Sequence, residues 1–109
     1  MPENKMLKLL KIMESLRDPL NGCPWDRKQT LETIIPHSIE EVYEVAAEIY
    51  KKNYKGLKEE LGDLLFQVVY LSQIAKEKGE FDFKDVVNEI TNKMIFRHPH
   101  VLKIKNLRI

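Results

Sequence analysis

The chain has 109 residues, of which 18 are Lys or Arg and 17 are Asp or Glu, leaving a net charge of +1. That length suits one domain, residues 1–109, with a single modest core, and 43% hydrophobic with 32% charged residues is a globular balance that argues against disorder. The near-neutral total disfavours a nucleic-acid binder, no apolar run approaches the roughly 20 residues of a bilayer span, and no signal core opens the chain. With one cysteine, Cys23, the expectation is a cytoplasmic protein with neither a nucleic-acid nor a membrane partner.

Four glycines and five prolines punctuate segments rich in Leu, Ile, Glu and Lys, and no alternating run reads as a strand, so the fold class expected is all-α. A first helix is predicted over residues 4–16, where Met6, Leu9, Leu10, Met13 and Leu16 recur at helical spacing. Residues 17–25 read as a loop, after which Asp26 caps a short helix, with Gln29 completing a capping box. Pro36 is expected to end or bend that helix, and Ser38 with Glu41 to open the next, which closes near Lys52. Residues 53–56 connect to a long helix over 57–78, stopped by Gly79. Asp82 with Asp85 opens the last helix, which Pro99 terminates, and residues 101–109 are expected to be partly ordered at best. From Leu61 to Leu71 the long helix is apolar on nearly every side, more than a four- or five-helix bundle of this size can surround, so a homodimer or higher oligomer is predicted.

The informative chemistry is acidic. Glu41 and Glu44 stand three residues apart in one helix, as do Glu60 and Asp63 in the next, and that spacing puts each pair on one face. Packed antiparallel, the two helices bring four carboxylates together, a conflict that a hard divalent cation with oxygen ligands resolves; Mg2+ suits carboxylates combined with phosphates. The bland alternative differs between the halves. Glu41, Glu44 and Glu48 lie opposite an apolar side made of Ile39, Val42, Tyr43, Ala46, Ile49 and Tyr50, which alone reads as a solvated face. Asp63, among Leu61, Leu64, Leu65 and Phe66, reads as a carboxylate in apolar surroundings, which is expensive without a partner.

The segment Glu40-Glu41-x-x-Glu44 followed by Glu60-x-x-Asp63 resembles the signature of the MazG-type nucleoside triphosphate pyrophosphohydrolases. Residues 16–30, with Cys23-Pro24-Trp25-Asp26, residues 59–69, and Arg97-His98-Pro99-His100-Val101 are similar to the same family. The likeness runs over about residues 7–102, leaving 103–109 as a basic tail, and is greatest to the first of the two tandem domains of longer members. The resemblance implies an all-α bundle that hydrolyses nucleoside triphosphates to monophosphate and pyrophosphate with Mg2+, for which Mn2+ is a possible substitute. It implies Glu41, Glu44, Glu60 and Asp63 as metal ligands and, more weakly, Glu40 as the group that orients or deprotonates water.

Lys93 and Arg97 continue the stripe of Val86 and Ile90, and the resemblance implies that they contact substrate phosphates; the alternative is that they complement a helix dipole. Trp25 could stack on a nucleobase and Gln29 offer it hydrogen bonds, with core packing as the competing role for Trp25. His98 and His100 make a weak soft-metal pair and read as structural, His37 has no obvious partner, and nothing marks Cys23 as a nucleophile. Thr91 and Phe96 depart from the family's Asn and Arg, which leaves open a nucleotide-binding or structural oligomer without efficient hydrolysis. A helical partner-binding module with a solvated acidic face is the third reading. The charges are segregated: residues 40–63 hold seven acidic residues, and residues 90–109 hold five basic residues and none that are acidic.

Overall fold

The computed structural model describes residues 2–104, which form six helices and no strand. These are α1 (Pro2–Leu16), α2 (Pro24–Arg27), α3 (Leu31–Lys51), α4 (Tyr54–Glu77), α5 (Phe83–Arg97) and α6 (Pro99–Ile104). The all-α class is as expected, with four long helices and two short ones. Residues 105–109 of the basic tail lie outside the described residues.

Local chemistry sets most of the ends. Thr30 caps α3 in a reciprocal box with Thr33, and Asp82 does the same for α5 with Asp85. Asn53 caps α4 by accepting from the Gly56 amide, so the connection between α3 and α4 is shorter than the predicted 53–56. Gly79 adopts φ +75° just after α4, in the left-handed region that glycine enters without penalty. Between α1 and α2 the chain doubles back so tightly that a β-carbon at Gly22 would stand 2.4 Å from the Leu16 carbonyl oxygen.

Three expectations fail here. Asp26 lies inside α2 rather than capping it; Cys23 occupies the cap position. Pro36 neither ends nor starts a helix but lies inside α3, and Ser38 is therefore an interior residue, not a cap. A mid-helix proline costs about 3 kcal/mol in isolation. Here the helix is tied down on both sides of it: Ile34 is buried in the core, and the Ser38 hydroxyl donates to Gln67 Oε1 on α4 at 2.9 Å. The carbonyl that the missing N–H would have served belongs to exposed Glu32, where water can replace the donor. Finally, α5 ends at Arg97 as expected, yet Pro99 opens α6, a position where its missing N–H is harmless.

The core gathers Met13 of α1, Ile34 of α3 and Val69, Tyr70 and Ile74 of α4, with Leu9, Leu10, Phe66 and Phe83 packed around them. It therefore sits at one end of the antiparallel α3–α4 hairpin. From residue 39 to residue 68, the part of the hairpin nearest its turn, no residue is fully buried. The radius of gyration, 16.4 Å, exceeds the roughly 13 Å of a compact domain this long, as a projecting hairpin requires.

Candidate metal centre

The projecting half of the hairpin carries the acidic residues, and its register decides which of them meet. Ser38 lies against Gln67 at one end, and Glu48 lies against Gly56 at the other, so close that a β-carbon on Gly56 would fall 2.0 Å from Glu48 Oε2. Between these pins, Glu41 of α3 meets Glu60 and Asp63 of α4. One carboxylate oxygen each from Glu41, Glu60 and Asp63 lies within 4.8 Å of the other two. Glu44 is exposed and outside that trio, but its charge reaches Glu41. Glu40 is exposed and about 100° round the helix from Glu41, so it flanks the trio without joining it.

The electrostatics are those of like charges forced together. Burial raises the Glu41 carboxyl first, and the neighbouring Glu60, Asp63 and Glu44 push it further, to about 7. With all the carboxylates ionised, Glu41 Oε1 is buried without any hydrogen-bond partner. Protonation of Glu41 relieves this below its raised pKa; a cation would relieve it above. The donor set fits a hard divalent ion. Mg2+ holds oxygens at about 2.1 Å, so ligands stand about 3 Å apart when adjacent and about 4.2 Å when opposite, within the span available here. Three carboxylates leave room for water and phosphate oxygens.

The surroundings reverse one expectation for α3. The side bearing Glu41 and Glu48 turns towards α4, while Ile39, Val42, Tyr43, Ile49 and Tyr50 face outwards, Tyr43 with 72% of its surface exposed. Asp63 is correspondingly not enclosed: Leu61 and Leu65 beside it are themselves exposed.

The other predicted residues are spread more widely. Trp25, 52% exposed, meets the ring of His37 edge-on at 5.6 Å, and His37 is one helical turn before Glu41. Gln29 spends its amide on the Trp25 carbonyl at 2.8 Å. Lys93 is exposed and lines a groove of about 400 Å3 with Phe81, Asp85, Val86, Glu89 and Ile90, on the face of α5. Arg97 is exposed at the end of α5, a helix that packs on α4 and α6. His98 is committed to the Met94 carbonyl at 2.9 Å, in keeping with a structural role. Sequence reasoning overlooked Arg17, Tyr70 and Glu77, which bond to one another or to the α2 segment; no motif spacing announces such a network.

A helical hairpin that turns a carboxylate trio inwards defines an all-α protein with a candidate divalent-cation centre. The sequence model of the MazG nucleotide pyrophosphohydrolase domain matches residues 29–102, and the chain belongs to that family. It is 53% identical over 98 residues to the nucleoside triphosphate pyrophosphohydrolase of Escherichia coli K12, covering 90% of this chain and 37% of that protein. To the nucleoside triphosphate pyrophosphohydrolase/pyrophosphatase MazG of Thermotoga maritima it is 54% identical over 93 residues, covering 85% and 36%. The chain thus spans little more than a third of the length of these curated relatives. Among solved structures, the mazG-related protein from Thermotoga maritima superposes with a TM-score of 0.71 at 31% identity, over 84% of this chain and 78% of that one.

Proposed function

We propose that this protein hydrolyses nucleoside triphosphates to nucleoside monophosphate and pyrophosphate, with Mg2+, or Mn2+ in its place, at the Glu41, Glu44, Glu60 and Asp63 cluster. The observation that carries the reading is the convergence of three carboxylates around an unpartnered, buried oxygen of Glu41. A divalent cation bound there supplies charge neutralisation for a polyphosphate and makes water more acidic. Glu41, Glu60 and Asp63 would hold it directly, while Glu44, whose charge reaches Glu41, would contribute charge and a further oxygen. Water adds to the α-phosphorus, the bond to the bridging oxygen breaks, and pyrophosphate leaves with that oxygen. Glu40, exposed at the edge of the cluster, accepts the proton of the attacking water.

Lys93 and Arg97 supply positive charge to the phosphates from α5, and Trp25 and Gln29 mark the nucleobase end. The exposed apolar side of α3, with Leu61 and Leu65 of α4, supports a homodimer in which a second copy covers it. Among the described residues no helix is long and apolar enough to cross a membrane. We place the protein in the cytoplasm, where its substrates occur and a lone cysteine stays reduced.

Pyrophosphate release, measured with each common NTP and dNTP in Mg2+ and again in EDTA, tests the reading. Metal-dependent release with at least one nucleotide is expected, and none with any of them refutes hydrolysis. Thr91 and Phe96, which depart from the family's pattern, favour a second reading, a nucleotide-binding or structural oligomer. Calorimetry separates the two: metal and nucleotide binding without turnover favours the second. Absence of any Mg2+ binding favours a helical partner-binding module, which the half-buried Glu41 makes the least attractive.

A further inference from the structure

Away from the acidic stripe, one side chain makes four hydrogen bonds. Arg17 follows α1, and its side chain is 8% exposed. Nε and Nη2 donate to the two carboxylate oxygens of Glu77, at 3.1 and 2.5 Å. Nη1 donates to the carbonyls of Asp26 and Gln29, both at 2.7 Å. The guanidinium lies 5.9 Å from the centre of the Tyr70 ring, and the Tyr70 hydroxyl donates in turn to the carboxylate of Asp26 at 2.8 Å and to its carbonyl at 3.1 Å. Burial, reinforced by the Asp26 carboxylate, raises the Tyr70 phenol above its ordinary pKa.

All this bonding converges on a segment that could not hold its shape alone. Four residues of α2 are too few for a stable helix, and the cap residue contributes no side-chain bond. Arg17 satisfies the carbonyls of Asp26 and Gln29, Tyr70 shares the first of these, and the Gln29 amide takes the carbonyl just before them, that of Trp25. A network serving only the core would be expected to bury the aromatic it fixes. Trp25 instead stands half in solvent, with His37 at its edge, and His37 is four residues before Glu41 on a rigid helix, about 6 Å along its axis. An exposed aromatic surface thus stands against a residue one helical turn from the carboxylate trio.

We propose that Arg17 and Tyr70 are positioning residues for the substrate: they lock residues 26–29 onto α4 so that Trp25, against His37, is preset as the surface on which the nucleobase rests. The inference builds on the function proposed above. Binding then spends little on ordering the loop, and the consequence is confined to the nucleoside end.

Tyr70→Phe removes one hydroxyl from the network, and Arg17→Lys keeps the charge opposite Glu77 but cannot reach both carbonyls. Each is checked for wild-type helicity by circular dichroism before use. Both are expected to raise KM for a nucleoside triphosphate by about ten-fold with kcat within about two-fold. Inhibition by inorganic triphosphate, which has no base, is expected to be unchanged in both. Trp25 is the only tryptophan, so its fluorescence reports the same event directly: Mg2+–nucleotide quenches it in the wild type and does so only at higher concentration in the variants. Unchanged KM and quenching in both variants overturn the proposal, as does an equal loss of affinity for nucleotide and inorganic triphosphate. Should the wild type bind nucleotide without hydrolysing it, the functional reading fails alone, and the quenching titrations still decide the role of Arg17 and Tyr70. Absence of nucleotide-dependent quenching in the wild type overturns it outright.

Discussion

Replacing Glu41 by Gln separates what the acidic cluster costs the fold from what it supplies to a cation. Gln has the shape of a protonated carboxyl and cannot ionise. Raising a carboxyl from 4.5 to about 7 corresponds to at most about 3 kcal/mol of penalty on its charged form. An independent figure follows from distance: two unit charges 4.8 Å apart repel by about 1 kcal/mol in water and about 3 kcal/mol at an effective dielectric of 20. Glu41 is only half-buried, so solvent screening brings the working figure to about 1–2 kcal/mol.

The sign follows from the direction of the shift. A carboxyl whose pKa is higher in the fold than in the unfolded chain stabilises the protein below pH 4.5 and loses that contribution as the pH rises through about 7. Wild type and Glu41→Gln should therefore unfold together at pH 4.5. At pH 8 in EDTA the variant should be the more stable, by about 5–10 °C in Tm for a domain of this size. Millimolar Mg2+ should reverse the order at pH 8, because ligand that binds only the folded state raises its stability and the variant has lost a ligand. Thermal unfolding by circular dichroism, at one protein concentration and four combinations of pH and metal, measures all of this. A variant less stable than wild type in EDTA at pH 8, or equally shifted at both pH values, would refute the argument that like-charge crowding defines this site.

Glu60→Gln and Asp63→Asn should each lower kcat/KM for pyrophosphate release by about 100-fold, and Glu44→Gln by about 10-fold, since Glu44 stands outside the trio. Tyr43→Glu, on the exposed side of α3, should shift the mass measured by light scattering from that of the proposed dimer to that of a monomer while leaving helicity intact; an unchanged mass would remove that side from the proposed interface. Glu77→Gln should cost about 1–2 kcal/mol at neutral pH by weakening the grip on buried Arg17. Because Arg17 holds the Glu77 carboxyl below its ordinary value, its stabilisation is present above pH 4.5 and disappears as the pH falls through the lowered pKa. Denaturant titrations should accordingly show wild type and variant converging in acid.

Much of the fold was legible because its signals are local. The Asp82–Asp85 box, the glycine after α4 and the apolar repeat of α1 each act within a turn or two of themselves. Pro36 was misread because its local cost is real and its compensation is distant: Ile34 in the core and Gln67 on another helix hold both sides of it. The acidic residues were legible as two i, i+3 pairs, and the hairpin register then decided that Glu44 would be peripheral to the oxygens of the trio. Arg17 left no sequence signal because half of its hydrogen bonds go to backbone carbonyls, which every residue carries, and the other half to Glu77, sixty residues away.

The orientation of α3 is the instructive case. Periodicity shows that a helix has an apolar and an acidic side; it does not say which side faces the rest of the chain. The usual inference, apolar inwards, assumes that the chain folds by burying its own surface. Here Glu41 and Glu48 turn towards α4 and each leaves a buried oxygen unpartnered, while Ile39, Val42 and Tyr43 face solvent. Neither half of that arrangement is favourable for one copy of this chain by itself. Each half has its own remedy in the proposed function: a cation answers the unpartnered oxygen of Glu41, and a second copy answers the apolar side. A hairpin built in this way should be stabilised by both ligation and assembly, through opposite sides of the same helix. Glu41→Gln and Tyr43→Glu therefore probe independent contributions, and their effects on stability should add in the double variant unless the second copy also reaches the carboxylates.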